Sequence, residues 1–76
     1  MTISRMLEDS VITTKVKAGL LKEEGLQGLR VGVETSNGIV YLSGMVRSYS
    51  QIANASYIAL HTNGVKWVQN SLTRKH

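Results

Sequence analysis

The dipeptide Asn37-Gly38, set between two runs of alternating apolar residues, constrains the fold of this chain more than any other feature. Asparagine followed by glycine supplies the two consecutive positive-φ positions that a type I′ turn requires. Apolar residues alternate with polar or small ones on both sides of the turn, which predicts strands over 30–35 and 39–46 with one buried and one exposed face. The inward-facing set is Val31, Val33, Val40, Leu42 and Val46.

A helix is predicted before the hairpin, over residues 10–23. Its apolar residues recur every four positions, as on one side of a helix. Asp9 or Ser10 is a suitable N-cap, because its side-chain oxygen can accept a hydrogen bond from a free amide of the first turn. Gly25 is a suitable C-terminal cap. Gly19 costs ~1 kcal/mol relative to alanine, which close approach to the sheet would offset. The apolar stripe consists of Ile12, Val16 and Leu20.

A second helix and a third strand are predicted after the hairpin. Ser48 and Gln51 form a capping-box pattern at the start of the helix, and Asn63-Gly64 ends it. The strand covers 65–73, with Val68 and Leu72 on one side and Trp67, Gln69 and Ser71 on the other. The apolar face of the second helix consists of Ile52, Ala55, Ala59 and Leu60, with Ile58 beside it.

The predicted order is helix, strand, strand, helix, strand. This order indicates an α+β two-layer sandwich, in which a three-stranded mixed sheet carries both helices on one face. A chain of 76 residues makes one domain. We expect a frayed lead-in over 1–8, the domain over 9–73, a loop over Leu26–Leu29 and a mobile tail over 74–76. The chain contains no cysteine, so disulfides and thiolate metal sites are excluded.

Five segments of the chain have the order and spacing of a known module: Asp9–Thr13, Val16 with Leu20, Val31–Gly44, Ala55 with Ala59, and Gly64–Leu72. Together they resemble the BON domain, a module named for bacterial osmotically induced and nodulation-related proteins. The resemblance covers residues 9–73 and implies the same element order. It also implies a non-enzymatic envelope module that binds phospholipid membranes or holds surfaces together, often linked to osmotic or envelope stress. The chain departs from the family over 49–63, which contains no Asp, Glu, Lys or Arg, so the resemblance gives no charged partner surface there.

Catalytic, metal and phosphate-binding motifs are not apparent. Gly38, Gly44 and Gly64 are far apart and occupy turn, strand and helix-end positions, whereas a phosphate loop needs clustered glycines leading into a helix. His61 and His76 are far apart, and no histidine–carboxylate relay accompanies the serines and threonines. The sequence therefore predicts neither an enzyme nor a cofactor.

Apolar residues on the outward side of the predicted sheet are the first candidates for a binding surface. With Val40 pointing inward, the pleat turns Ile39, Tyr41 and Met45 outward, and the same alternation exposes Trp67. If the second and third strands are neighbours, these four side chains share the uncovered face of the sheet. Such a patch suits either a partner protein or the interfacial zone of a membrane.

Basic residues provide a second candidate surface, consistent with the formal charge of +4. We predict a diffuse patch on the first helix and the sheet edge that meets anionic lipid headgroups. The alternative interpretation is scattered solubilising charge. The candidate residues are Lys15, Lys17, Lys22, Arg30 and Lys66.

The predicted function is attachment to anionic phospholipid membranes of the bacterial envelope under osmotic or envelope stress. The alternative is a protein–protein interaction or oligomerisation module within a larger assembly. Only the basic pI of about 9.8 suggests nucleic-acid binding, and no aromatic-and-basic motif supports it. The first residues lack a long apolar stretch and a small-residue cleavage site, so we do not expect them to form a secretory signal. We therefore expect a periplasmic or envelope location for a mature fragment and a cytoplasmic one for a complete chain.

Overall fold

The predicted order of elements and the α+β class are confirmed in the computed structural model, which describes residues 2–23 and 31–74, with side chains from residue 8 onwards. Two helices lie in one layer and a three-stranded sheet forms the other. The elements are α1 (Thr2–Lys22), β1 (Val31–Ser36), β2 (Ile39–Val46), α2 (Tyr49–Leu60) and β3 (Trp67–Arg74).

The sheet is mixed, as predicted, with the order β1-β2-β3. Strand β1 runs antiparallel to β2, and β3 runs parallel to β2 on its other side. Ser36 lies opposite Ile39, so the turn between them contains two residues. Asn37 has φ 52° and Gly38 has φ 80°, the positive values that this turn requires.

The core lies between the helices and one face of the sheet. Its side chains are aliphatic throughout, and none of the buried side chains in the described residues is polar or charged. Val31 is half-buried at the edge of this core. Apolar burial is therefore what stabilises the domain. The buried residues are Ile12, Val16, Leu20, Val33, Val40, Leu42, Val46, Ala55, Ala59, Val68 and Leu72.

The first helix begins earlier than predicted, and the assignment of Asp9 or Ser10 as its N-cap is wrong. Asp9 lies inside α1, and its carboxylate accepts hydrogen bonds from the backbone amides of Asn37 (2.8 Å) and Gly38 (3.0 Å). The side chain thus joins α1 to the hairpin turn. A carboxylate is a strong acceptor for backbone N–H groups, so it serves this contact as well as it would serve a helix end.

The capping box of α2 is confirmed, since the Gln51 amide donates to the Ser48 hydroxyl (3.2 Å) and the Ser48 amide donates to the Gln51 side chain (3.2 Å). Two other details differ. Gly19 approaches α2 rather than the sheet, because a Cβ there would lie 2.9 Å from Cγ2 of Ile58. Leu60 is 44% exposed, so its assignment to the buried face is wrong. It lies one position beyond the buried Ala59, which turns it outward.

Strand β1 is displaced by one residue from the predicted range, and β3 begins at Trp67 instead of residue 65. Gly25, the loop Leu26–Leu29 and Arg30 lie outside the described residues, as do residues 75–76. The division into lead-in, domain and tail stays a prediction.

Candidate functional site: two surfaces on opposite sides

The open face of the sheet carries the apolar residues that the alternation turned outward. Both helices cover the other face, and the register places Ile39 directly beside Trp67. Trp67 is 61% exposed, Met45 60% and Tyr41 42%, while Ile39 is half-buried. The predicted outward orientation of these residues is confirmed. We call this surface, formed by the outward residues of β1, β2 and β3, the open sheet face.

Small residues divide the open sheet face into two parts. Ser43 lies between Tyr41 and Met45, and it pairs with Gly32 on one side and Ser71 on the other. The pairing of Met45 with Thr73 adds no second apolar side chain at that end. The open sheet face therefore has an aromatic end at Tyr41 and Trp67 and a thioether end at Met45. A low central row of small residues separates the two ends.

The open sheet face is nearly free of charge. Within the described strands, its one charged side chain is that of Glu34, which pairs with Tyr41. Lys66 precedes Trp67 but lies beside the hairpin turn, where its amide donates to the Gly38 carbonyl (2.8 Å) and its aliphatic stem packs close to Gly38. Among the described residues, Lys66 therefore places a cation next to this face, and no lysine or arginine lies on it.

The predicted lysines of the first helix form a different surface. Lys15, Lys17 and Lys22 are all exposed on α1. Two large apolar side chains lie among them, Val11 (50% exposed) and Leu21 (64% exposed). Ten residues make about 2.8 turns, so the two side chains lie about 80° apart around the helix axis, at the two edges of its outward side.

Exposed small side chains continue this second stripe, which points away from the sheet. Thr14 and Ala18 fill the intervening turns between Val11 and Leu21. At 100° per residue, Lys15 and Lys22 flank the stripe on one side and Lys17 on the other. We call this set the outer face of α1. Val11 and Leu21 were not among the predicted site residues, although positions 11, 14, 18 and 21 follow a second 3-4-3 spacing that marks them.

The two candidate surfaces lie on opposite sides of the domain. The outer face of α1 points away from the sheet, and the open sheet face points away from the helices. A single flat partner cannot contact both at once. The predicted site therefore separates into Lys15, Lys17 and Lys22 on one side and the apolar set on the other, with Arg30 outside the described residues.

The outer side of α2 carries aromatic residues. The rings of Tyr57 and His61 stack with their centroids 4.0 Å apart, as expected for residues four apart on a helix. The Arg74 guanidinium lies 4.8 Å from the ring centroid of Tyr49. The first contact lies within α2, and the second joins the end of β3 to the start of α2.

Residues 2–23 and 31–74 contain neither a metal-binding cluster nor a membrane-spanning helix. No group of three His, Cys, Asp or Glu side chains is placed to hold a metal ion in this part of the chain. Neither helix combines the length and the apolar composition needed to cross a bilayer.

The sequence is similar to a known protein family and to proteins of two bacteria. Residues 8–75 match the family described as BON domain. The chain is 42% identical over 67 residues to osmotically-inducible protein Y of Escherichia coli (strain K12), covering 88% of this chain and 33% of that protein. It is 28% identical over 75 residues to an uncharacterized protein in gshII 5'region of Anaplasma centrale, covering 99% of this chain and 50% of that protein. The chain thus spans a third to a half of the length of these relatives.

Proposed function

The chain belongs to the BON domain family, and on that basis we propose that it is a non-enzymatic binding module that attaches to anionic phospholipid membranes of the bacterial envelope. The osmotic induction stated in the name of the relative from Escherichia coli supports a role in osmotic or envelope stress. The proposed location is the periplasm or the surface of an envelope membrane. No catalytic or cofactor chemistry is part of this proposal.

The observation that carries the proposal is the outer face of α1. Val11 and Leu21 expose apolar surface along a helix that carries three lysines beside the same stripe. A helix of this kind can lie in the membrane interface, with its apolar side chains among the acyl chains and its cations at the phosphates. Long lysine stems reach the headgroups from positions beside the stripe.

The expected affinity of one such surface is low. Each lysine near an anionic membrane contributes about 1 kcal/mol, so three contribute about 3 kcal/mol. Partial burial of Val11 and Leu21 adds to this at about 25 cal/mol per Å² of apolar surface. Salt weakens the electrostatic part, because exposed charges are screened over a Debye length.

Vesicle co-sedimentation tests the proposal. We expect the protein to pellet with phosphatidylcholine vesicles containing phosphatidylglycerol, to remain in solution with phosphatidylcholine alone, and to be released by salt. Leu21→Ser should reduce pelleting severalfold. The matched control is Met45→Ser, which removes a similarly exposed apolar side chain from the open sheet face and should have no effect. Failure to pellet with anionic vesicles at low salt would reject lipid binding.

The fluorescence of Trp67 shows independently which surface of the domain contacts the membrane. Trp67 is the one tryptophan of the chain and lies on the open sheet face, opposite α1. Docking through α1 leaves its emission unchanged when vesicles are added. If the protein pellets with vesicles and the Trp67 emission shifts to the blue, the protein binds lipid through the open sheet face and not through α1.

A protein–protein interaction module is the second candidate, and the open sheet face is the observation that favours it. Its exposed aromatic and thioether side chains, with a single carboxylate, have the composition of a protein interface. An anionic membrane would repel Glu34 on that face.

A further inference from the structure

Charge limits where two copies of this chain can meet. The chain has a formal charge of +4, so association through a cationic surface is opposed by repulsion. The outer face of α1 carries three lysines, and the outer side of α2 has Arg74 stacked on Tyr49. Within the described strands, the open sheet face carries no lysine or arginine and one carboxylate, Glu34. Among the described residues, two such faces in contact would therefore bring no lysine or arginine side chains of the strands against each other.

The open sheet face is also complementary to a reversed copy of itself. Tyr41 lies two residues before Ser43 on β2, and Met45 lies two residues after it. If a second copy is rotated by a half-turn about the row through Ser43, Tyr41 of each copy lies over Met45 of the other. Sulfur–aromatic contacts of this kind are favourable.

The low central row permits close approach. Gly32, Ser43 and Ser71 lie side by side across the three strands, with no large side chain among them. Two sheets packed face to face are about 10 Å apart, which small facing residues allow at the axis.

Charged residues lie at both ends of the face. Glu34 pairs with Tyr41 at the aromatic end, where Lys66 lies next to the face, and Arg47 follows Val46 at the other end. Reversal brings Glu34 of one copy towards the end of the other copy at which Arg47 lies. Electrostatic complementarity of this type sets the register of an interface more than its affinity.

We propose that the open sheet face is a homodimer interface, with a two-fold axis that passes over Gly32, Ser43 and Ser71. This makes a four-layer assembly, in which the two sheets are inside and the helices outside. The outer face of α1 remains exposed in both copies. The inference therefore does not depend on lipid binding, although a dimer would present two lysine-bearing helices.

The size of the face predicts weak association. Strand β2 has eight residues, which span about 26 Å, and three strands are about 15 Å wide. This footprint is smaller than the ~800 Å² per partner of a standard stable interface. We therefore expect a dimer with a dissociation constant in the micromolar to millimolar range. Its population should rise when two copies are held together in one assembly.

Charge placed at the axis tests the geometry. Ser43 of one copy faces Ser43 of the other, so both Ser43→Lys and Ser43→Glu put like charges together. We expect each variant to raise the dimer dissociation constant at least ~10-fold in sedimentation velocity. An equimolar mixture of the two variants should associate again, because Lys then faces Glu. The controls are Ala53→Lys and Ala53→Glu, which add the same charges to the exposed side of α2 and should leave dimerisation unchanged.

Three results would overturn the proposal. The first is a wild-type chain that stays monomeric at millimolar concentration. The second is that Ser43→Lys and Ser43→Glu change the dimer dissociation constant in opposite directions. The third is that an equimolar mixture of the two variants does not associate. Melting curves establish that each variant is folded. Vesicle binding of the Ser43→Lys and Ser43→Glu proteins, if it occurs through α1, should be equal, so failure of the dimer leaves the lipid proposal intact.

Discussion

The outer face of α1 and the open sheet face expose similar apolar side chains but differ in charge. Leu21 is 64% exposed on the first surface, and Trp67 is 61% exposed on the second. Lysines surround the first, whereas a carboxylate is the one charged side chain on the described strands of the second. Because exposed apolar area is non-directional, the neighbouring charges decide which partner each surface accepts. The proposed membrane contact and the proposed protein contact therefore do not share a site.

The largest expected effect follows from removal of the lysines. The triple variant Lys15→Gln, Lys17→Gln and Lys22→Gln should lose about 3 kcal/mol of vesicle binding, or roughly 100-fold in affinity. Titration with phosphatidylglycerol vesicles measures this loss, and sedimentation should show unchanged self-association. If dimerisation weakens in parallel, the two surfaces are not independent.

Asp9→Ala should cost about 2 kcal/mol of unfolding free energy. The substitution removes the carboxylate that accepts from the amides of Asn37 and Gly38, two charge-assisted hydrogen bonds that join α1 to the hairpin. Urea denaturation measures the change, and Glu8→Ala on the exposed neighbouring position is the control. If Asp9→Ala lowers the free energy of unfolding no more than Glu8→Ala does, the hydrogen bonds of Asp9 do not stabilise the packing of α1 against the hairpin.

Gly19→Ala should destabilise the domain by about 1 kcal/mol. Alanine gains ~1 kcal/mol in helix propensity, but its Cβ would lie 2.9 Å from Cγ2 of Ile58, and overpacking costs ~2 kcal/mol. Ile58→Leu removes that methyl branch, so the double variant should recover part of the loss. A stabilised Gly19→Ala protein in thermal melts would show that α1 can move away from α2 without cost.

Lys66→Gln should have the smallest effect, a change in vesicle affinity within about twofold. Lys66 lies beside the hairpin turn rather than on the outer face of α1, and screening limits its influence beyond ~10 Å at moderate salt. The same vesicle titration measures it. A loss as large as that for one lysine of α1 would indicate that the membrane contacts the hairpin end of the domain.

Much of the fold was predictable because its signals are local. The Asn37-Gly38 turn, the range 39–46 of β2 and the capping box of Ser48 and Gln51 all depend on residues within a few positions of one another. The N-cap assignment at Asp9 was wrong because an aspartate satisfies backbone amides equally well at a helix end or at a distant turn. No local pattern distinguishes these two uses.

The candidate site was predictable in its parts but not in its arrangement. Alternation identified Tyr41 and Trp67 as outward, and register then placed Ile39 beside Trp67. The stripe of Val11 and Leu21 was missed because the stronger stripe of the same helix, which faces the core, accounted for its amphipathicity.

The amino-acid sequence was sufficient for the order of the elements and for which side of each strand is buried, because two- and four-residue periodicities are properties of the local backbone. The packing of distant segments settled the rest. It directed Asp9 to the hairpin and Gly19 to Ile58, and it put the lysines of α1 on the far side of the domain from Trp67. Contacts between residues many positions apart carry no periodic signal along the chain, so these relationships appear only once the layers are assembled.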